Sequence, residues 1–295
     1  MEDCAADRRP SQLTPVPQIE IMNTLNVPIR LRESTGSRAI VHRTRGQTYG
    51  PVTRMMSPPD LGEALKPFVF LDRIDVTKPP AQEIEGLGRL PRSGIATLTW
   101  LFEGAANYED RMGLGGKLDH GWIGWIHAGD GAWHGGTFGD SDRLRGFQLS
   151  VALPTASEPS TPYSSYIGPE DLFTQGPVTV LLGRYGSARS LIEAPAPINF
   201  FSVRLEVGES WIYQPNPGHT VAWAAVSRGR LLAPQAIEAG ELVAFEEAVK
   251  PIHFVADEDT DFVFGSAAKP YQDLSLARRW QATNGHLHRE PVPES

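Results

Sequence analysis

The chain of 295 residues contains a single cysteine, Cys4, so it cannot form an intrachain disulfide. Such a composition favours a reducing compartment, and we predict a cytoplasmic protein. No apolar run approaches the roughly 18–20 residues that a membrane-spanning helix needs. The first 17 residues carry no apolar core of the kind found in secretory signals. The sequence therefore predicts a protein that neither crosses a membrane nor binds one.

The chain also lacks runs of lysine or arginine, and its formal net charge is −8, from 27 basic and 35 acidic residues. Phosphate backbones attract basic surfaces, so we do not expect direct nucleic-acid binding. Nucleophilic catalysis has little support, because there is no G-x-S-x-G elbow and no glycine-rich phosphate loop. Cys4 itself lies in a polar, proline-containing terminus.

Most of the chain consists of short apolar runs separated by turn residues, which is typical of β-strands. In the first half the run at 68–71 predicts a buried strand that ends at Asp72. Short strands about ten residues apart, with no helices between them, indicate a β-sandwich or barrel. The other predicted strands are 95–102, 122–127, 144–153, 178–182, 199–205, 210–213, 221–226, 230–232, 241–245, 252–255 and 262–264.

The same strand pattern occurs on both sides of a segment rich in proline and serine, which predicts two tandem all-β domains. A single short helix is predicted near the C-terminus, at about 275–283, from the apolar stripe of Leu274, Ala277 and Trp280. The predicted divisions are an N-terminal tail or arm at 1–37, a first barrel at 38–155, a linker at 156–170, a second barrel at 171–275, and a helix with a tail at 276–295.

Residues 86–138 hold four of the seven tryptophans, three of the eight histidines and many glycines. They predict two β-hairpin arms, with strands around Trp100 and Trp125. A stretch with this composition is the natural candidate for a functional site.

Four segments of the chain resemble the pirin family. They are PFVFLD at 67–72, GIATLTWLFEG at 94–104, WIHAGDGAWH at 125–134 and FVFGS at 262–266. The resemblance implies a bicupin, that is, two cupin-type jelly-roll β-barrels. For typical members it also implies one iron ion in the first barrel and quercetin 2,3-dioxygenase activity, with a redox-sensing role in transcription for eukaryotic members.

In the family pattern, iron is held by two histidines of an H-P-H-R-G segment and by an H-x-E pair, a ligand set suited to ferrous iron. At the matching positions this chain has Leu90, Arg92, His134 and Gly136. Only His134 remains as a remnant of the site, and Arg92 would repel a metal cation. We therefore predict no metal and no other cofactor, unless other residues rebuild the site. The candidates for that are Glu103, His120 and His127.

An aromatic pocket in the first barrel is the other candidate site. It could bind a flat aromatic ligand, whereas the alternative is that its aromatic residues only pack in the core or between the barrels. Arg92 and His134 could also bind an anion, the alternative being an internal ion pair with Glu103 or Asp119. The predicted pocket residues are Arg92, Trp100, Phe102, Trp125, Trp133 and His134.

Three functions follow from these observations. The first is a pirin-like bicupin with a degenerate metal site that acts as a non-catalytic small-molecule-binding or regulatory protein. The second is a quercetin 2,3-dioxygenase-type oxidoreductase with altered ligands. The third is a metal-independent enzyme that uses the pocket of the first barrel. The partner would be a small molecule or another protein, and the sequence identifies neither.

Overall fold

The computed structural model describes residues 37–62, 64–77, 94–110, 115–127, 134–138, 141–154, 161 and 163–269. At 109, 110, 115 and 134–138 only the backbone is described. The predicted N-terminal arm before residue 37, the segment holding Leu90 and Arg92, and the predicted helix at 275–283 lie outside these ranges.

The described chain is almost entirely β-structure, which confirms the predicted fold class. Its helical elements are two short turns, Pro58–Gly62 and Pro169–Asp171. In the first half the strands are Ile40–Thr44 (β1), Gln47–Tyr49 (β2), Val52–Met56 (β3), Phe68–Thr77 (β4), Ile95–Glu103 (β5), Ala105–Asp110 (β6), Gly115–Asp119 (β7), Ile123–His127 (β8), His134–Phe138 (β9), Arg143–Ala152 (β10) and Tyr163–Ile167 (β11). In the second half they are Thr174–Gln175 (β12), Val178–Leu182 (β13), Arg184–Tyr185 (β14), Ala188–Arg189 (β15), Ile198–Leu205 (β16), Ser210–Tyr213 (β17), His219–Arg228 (β18), Arg230–Leu232 (β19), Ala236–Glu238 (β20), Leu242–Phe245 (β21), Ile252–Ala256 (β22) and Thr260–Ala268 (β23).

The first barrel is built from a seven-stranded sheet in the order β11-β8-β5-β10-β4-β3-β2 and a three-stranded sheet in the order β7-β6-β9. At the centre of the large sheet, β10 pairs antiparallel with β4 and β5. Nine of its ten residues are buried, because both faces of the strand are covered. Phe147 and Leu149 pack toward the second barrel, whereas Leu144 faces the interior of the first.

The predicted end of the strand at Asp72 is wrong, because β4 continues to Thr77. Asp72 is 1% exposed, yet its two carboxylate oxygens accept hydrogen bonds from Nε and Nη2 of Arg54 at 2.8 and 2.9 Å. A bidentate ion pair of this kind satisfies a buried carboxylate. The strand can therefore pass through an acidic residue without ending.

The second barrel repeats the arrangement with a seven-stranded sheet in the order β1-β21-β18-β23-β16-β13-β12 and a four-stranded sheet in the order β17-β22-β19-β20. Its interior is filled with aromatic side chains. Trp211 stacks on Phe254 with ring centroids 5.2 Å apart and meets Phe264 edge-on at 5.4 Å. Contacts of this kind contribute about 0.5–1.5 kcal/mol per pair beyond the apolar area that they bury.

The two seven-stranded sheets pack against each other, and one continuous apolar core contains side chains from both. Phe68 of the first barrel meets Trp223 of the second edge-on at 5.3 Å. This packing positions the candidate site, because β5 and β8 carry their tryptophans into the contact between the barrels. The tandem-barrel prediction is thus confirmed in its architecture.

Two strands lie in sheets that the predicted ranges do not assign them to. Strand β1, within the range predicted for the first barrel, pairs antiparallel with β21 of the second. Arg38 just before it is fully buried and donates to the backbone oxygens of His219, Thr220 and Lys250. Strand β11 falls in the predicted linker but pairs with β8 of the first barrel.

Candidate functional site

Trp100, Phe102 and Trp125 of the predicted pocket belong to the contact between the barrels. Trp100 and Trp125 are 7% and 1% exposed and lie within the interbarrel core, against which Phe102 packs. Trp100 and Phe102 share one face of β5, since residues two apart in a strand point the same way. Their rings meet edge-on at 6.2 Å. The alternative that the aromatic residues only pack in the core or between the barrels therefore applies to Trp125. Trp100 and Phe102 also line a groove, which is described below.

Of the remaining predicted pocket residues, Arg92 and Trp133 lie outside the described residues. His134 begins β9, and its backbone stands opposite Asp110 of β6 in the antiparallel register. Gly136 stands opposite Tyr108 in the same pairing. The register thus places the remnant histidine and the glycine two residues later on the small sheet of the first barrel.

A pair of stacked tyrosines, which the sequence reasoning missed, lies close to this sheet. The rings of Tyr108 and Tyr166 are 3.8 Å apart and nearly parallel, at 16°. Both pack against the interior cluster of the first barrel that includes Leu101 and Leu118. A Cβ at Gly116 would lie 2.5 Å from the hydroxyl of Tyr108, so this glycine leaves room for the ring.

The residues named as substitute ligands are engaged elsewhere or lie apart. Glu103 forms ion pairs with Arg145 and Arg143, at 3.4 and 3.7 Å. The His127 ring stacks on Tyr163 with centroids 5.0 Å apart, and burial lowers the pKa of His127. His120 is exposed in the turn after β7. Over the part of the chain whose side chains are described, no three His, Cys, Asp or Glu residues converge as a metal site would require.

The positions that the resemblance assigns to iron ligands can be tested by their chemistry. Leu90 and Gly136 have no donor atom, and the guanidinium of Arg92 is a permanent cation that cannot act as a ligand. His134 alone offers a lone pair. These four residues do not supply three imidazoles and a carboxylate, so the set does not fit the iron centre of the resemblance.

A groove of about 600 Å³ lies along the contact between the barrels, and we call it the interbarrel groove. The first barrel contributes Trp100, Phe102 and His120 to its wall. The second barrel contributes polar side chains from β13, β16, β17 and the loop before β17, namely Thr179, Ser202, Arg204, Glu206, Glu209 and Ser210. The groove therefore has an aromatic wall on one side and a polar wall on the other, an arrangement typical of small-molecule sites.

At one edge of the groove, three arginines share the buried carboxylate of Asp261. Arg204 Nε lies 2.8 Å from Oδ1, Arg145 Nη2 lies 2.9 Å from Oδ2, and Arg228 Nε lies 3.3 Å from Oδ2. Burial raises the pKa of Asp261, but the hydrogen bonds and charges of Arg204 and Arg145 outweigh it and hold the pKa below its usual value. Asp261 is therefore ionised, and its carboxylate forms ion pairs with arginines of both barrels.

A second buried polar network lies inside the second barrel. Ser266 Oγ is 3.0 Å from His219 Nδ1 and 2.6 Å from the hydroxyl of Tyr213. Burial, together with the charges of Arg184 and Arg38, lowers the pKa of His219 to about 4. His219 is 4% exposed and Ser266 is fully buried. A neutral imidazole with so low a pKa is a weak base, so this network is poorly suited to activating a nucleophile.

Sequence reasoning also missed Arg145, Arg204 and Asp261. A signal for two of them was present: Arg145 interrupts the apolar alternation of β10, and Asp261 directly precedes the apolar run of β23. A charged residue at a buried strand position requires a partner. The sequence does not show that the partner comes from the other barrel, 116 residues away.

In the part of the chain that the structure describes, no helix has the length and apolar character required to cross a membrane.

Comparison with known proteins points to one family. The family model described as "Pirin" matches residues 50–151, the part of the chain that forms most of the first barrel. A Pseudomonas aeruginosa protein named "Putative quercetin 2,3-dioxygenase PA2418" is 29% identical over 193 residues, which is 61% of this chain and 67% of the relative. A pirin-like protein of Caulobacter vibrioides is 27% identical over 61% of this chain and 69% of the relative.

Solved structures show the same fold. A quercetin 2,3-dioxygenase from Acinetobacter baumannii superposes with a TM-score of 0.69 at 22% identity, covering 85% of this chain and 95% of that one. The bacterial pirin YhhW from Escherichia coli, in complex with nickel(II), superposes with a TM-score of 0.60 at 16% identity, covering 79% and 96%. At these identities the likeness extends to the fold alone.

Proposed function

This chain belongs to the pirin family of cupin proteins, and on that premise we propose that it is a non-catalytic small-molecule-binding protein whose metal site is degenerate. The observation that carries the proposal is the donor set at the positions where the resemblance places iron. Leu90 and Gly136 offer no ligand atom, and Arg92 brings a positive charge in place of an imidazole. A ferrous ion held by His134 alone would exchange rapidly with solvent.

The interbarrel groove supports the binding role. It is the described cavity in which aromatic side chains of the predicted pocket, Trp100 and Phe102, face polar groups. A volume of about 600 Å³ falls in the range of roughly 300–1,000 Å³ that small-molecule sites occupy. The ligand would bind between the barrels rather than on a metal.

Elemental analysis of protein produced with iron, nickel and manganese supplied tests the degenerate site. We expect metal well below one equivalent per chain, and the same content in a His134→Ala variant, because one imidazole does not retain the ion. Near-stoichiometric metal that His134→Ala removes would overturn the proposal.

The second candidate function is a quercetin 2,3-dioxygenase, which the names of the relatives favour. Quercetin consumption with oxygen uptake distinguishes it from the binding role. If the protein only binds its ligand, we expect the same slow background rate of quercetin consumption in the native protein and in His134→Ala. Turnover that is lost on that substitution would favour the dioxygenase, whereas turnover that survives it without metal would favour a metal-independent enzyme.

A thermal-shift screen of aromatic small molecules tests binding directly. A ligand at a hundredfold excess over its Kd stabilises the folded protein by about 2.7 kcal/mol. We expect at least one such ligand for the native chain. The absence of any ligand-induced shift would favour a regulatory role with a protein partner.

A further inference from the structure

The interbarrel groove has walls of two different chemistries, and its charges suggest what it binds. On the first-barrel side, Trp100 and Phe102 offer an aromatic surface. The guanidinium of Arg145, which is not part of the groove lining, lies over the Phe102 ring, 5.2 Å from its centroid. A planar aromatic molecule matches such a surface in shape and polarity.

The indole N–H of Trp100 is a hydrogen-bond donor without an acceptor in the described structure. This indole nitrogen is buried and has no hydrogen-bond partner among the described atoms. An unmet buried donor is unfavourable, but a nitrogen buried this deeply is out of reach of a ligand in the groove. Trp125 and Trp223 also have unpartnered indole nitrogens within the core, so this feature belongs to the packing and does not identify a ligand.

The arginine cluster at the groove edge carries excess positive charge. Arg145, Arg204 and Arg228 surround Asp261, and Glu103 reaches Arg145 only at 3.4 Å. Around Asp261 itself, three guanidiniums face one carboxylate, whereas the lining of the groove holds Arg204 together with Glu206 and Glu209. Arg204 lines the groove and its side chain is 68% exposed. Since Arg204 contacts Asp261 through Nε, its terminal nitrogens remain the natural donors to an incoming anion.

From these features we propose that the interbarrel groove binds a small aromatic carboxylic acid, with its ring against Trp100 and Phe102 and its carboxylate on Arg204. Arg228 lies on the same Asp261 carboxylate and adds to the attraction. This inference rests on the proposed binding function and names the class of ligand. It does not involve the positions of the family's metal ligands.

Two carboxylates on the same polar wall as Arg204, Glu206 and Glu209, make the charge of the ligand matter. Glu209 Oε2 accepts a hydrogen bond from the backbone N–H of Glu206 at 2.8 Å, so it is held at the rim. An aromatic amine would be attracted to these two residues, whereas an aromatic acid is attracted to the arginine edge. A matched acid and amine therefore show whether Arg204 or the two carboxylates dominate the recognition of a charged ligand.

Isothermal titration of the full chain with naphthoate and with naphthylmethylamine provides the test. We expect saturable binding of naphthoate, at least about tenfold tighter than binding of the amine. Arg204→Met should raise the Kd for naphthoate by about ten- to a hundredfold, as expected for loss of a charge-assisted hydrogen bond. The matched control is Arg189→Met on β15, an exposed arginine outside the groove, which should leave the Kd unchanged.

Two further variants test the two walls. Phe102→Leu removes an aromatic ring from the first-barrel wall but keeps an apolar side chain, and it should weaken naphthoate binding several-fold. Glu209→Gln keeps an acceptor for the Glu206 N–H while removing a negative charge, so naphthoate should bind roughly two- to threefold tighter, with the gain reduced at high salt. A change in the melting temperature of the free variants reports separately on folding.

The inference fails if acid and amine bind equally, if the amine binds better, or if folded Arg204→Met binds naphthoate as the native protein does. If naphthoate does not bind while another molecule from the thermal-shift screen does, the ligand class is wrong and the binding function stands. If the metal and turnover measurements reveal a dioxygenase, the proposed function is wrong, and a groove that still selects naphthoate through Arg204 would remain a separate site.

Discussion

Nη2 of Arg145 in the first barrel lies 2.9 Å from Oδ2 of Asp261 in the second, and both side chains are almost completely buried. Arg145 also donates to Ser227 Oγ at 3.0 Å. Because a buried charge is costly without a partner, this pair makes the contact between the barrels specific. It also holds Arg204 at the edge of the interbarrel groove through the other oxygen of the same carboxylate.

Removal of one partner of this pair should be severely destabilising. In Asp261→Asn three guanidiniums lose their shared carboxylate, and we expect the free energy of unfolding to fall by about 3–5 kcal/mol. Urea denaturation measures the change. The double variant Arg145→Met with Asp261→Asn should recover part of the loss, because it no longer buries an unpaired charge.

The matched control for this prediction is Asp257→Asn, which removes a partly exposed ion pair with Arg230. Exposed pairs contribute about 0–1 kcal/mol, so this variant should change stability little. Equal losses in Asp257→Asn and Asp261→Asn would show that burial of the Arg145–Asp261 pair is not what stabilises the contact.

Strand positions were the most predictable part of the fold, because apolar alternation in a strand follows directly from which faces are buried. The predicted strand at 144–153 corresponds to β10, and the predicted strand at 95–102 corresponds to β5. The end predicted at Asp72 was wrong because its partner, Arg54, lies on another strand. The local apolar pattern predicts which strand positions are buried. It does not predict which distant residue will pair with a buried charged side chain.

The sheet that each strand joins could not be predicted from the sequence either. The proline- and serine-rich segment indicates a linker, yet Tyr166 and Ile167 within it pack against the interior of the first barrel and the interbarrel core. The interbarrel groove combines residues about 100 positions apart, such as Trp100 and Arg204. Composition indicated an aromatic pocket in the first barrel, whereas a groove between the barrels and its charged wall depend on how the two barrels dock.

Acid should weaken the fold through His219. The pKa of His219 is about 4 in the folded protein, against 6.5 for an ordinary histidine, so only the unfolded state takes up this proton between those two values. Stability should therefore fall by about 1.4 kcal/mol per pH unit as the pH drops from about 6.5 to about 4, and this contribution should level off below that. Urea unfolding across this pH range measures the slope.

The control variants for the pH series are His219→Asn and His253→Asn. The first should be less stable at neutral pH but should lose this part of the pH dependence. The second alters an exposed histidine on β22, and its curve should parallel that of the native protein. An unchanged slope in His219→Asn would assign the acid sensitivity to other groups.

A methyl group at Gly265 should disrupt the interbarrel core. A Cβ at this position would lie 2.3 Å from Cε2 of Trp223, and the Trp223 ring is fixed between Phe68 and Phe200. Gly265→Ala should therefore lower the free energy of unfolding by about 1–3 kcal/mol or more. In Gly168→Ala the new Cβ meets only the flexible carboxylate of Glu170, and stability should stay within about 0.5 kcal/mol. Equal stability of the two variants would contradict the packing at Trp223.

Restoring the missing ligands should create a metal site if the degenerate-site proposal is correct. The triple variant Leu90→His, Arg92→His and Gly136→Glu, together with the native His134, offers three imidazoles and one carboxylate. Replacing Arg92 also removes a repulsion of roughly 4 kcal/mol per unit charge at about 4 Å, taking an effective dielectric constant near 20. We expect the purified triple variant to approach one equivalent of iron or nickel, measured by elemental analysis.

The control adds His134→Ala to the triple variant, which should lower the metal content again because one of the four ligands is lost. The single variant Gly136→Glu should gain little, since one imidazole and one carboxylate leave the ion mostly solvated. A folded triple variant that stays free of metal would mean that Leu90, Arg92 and Gly136 are not the ligand positions. The residues at these three positions would then no longer support a non-catalytic protein, whatever the native chain's own metal content.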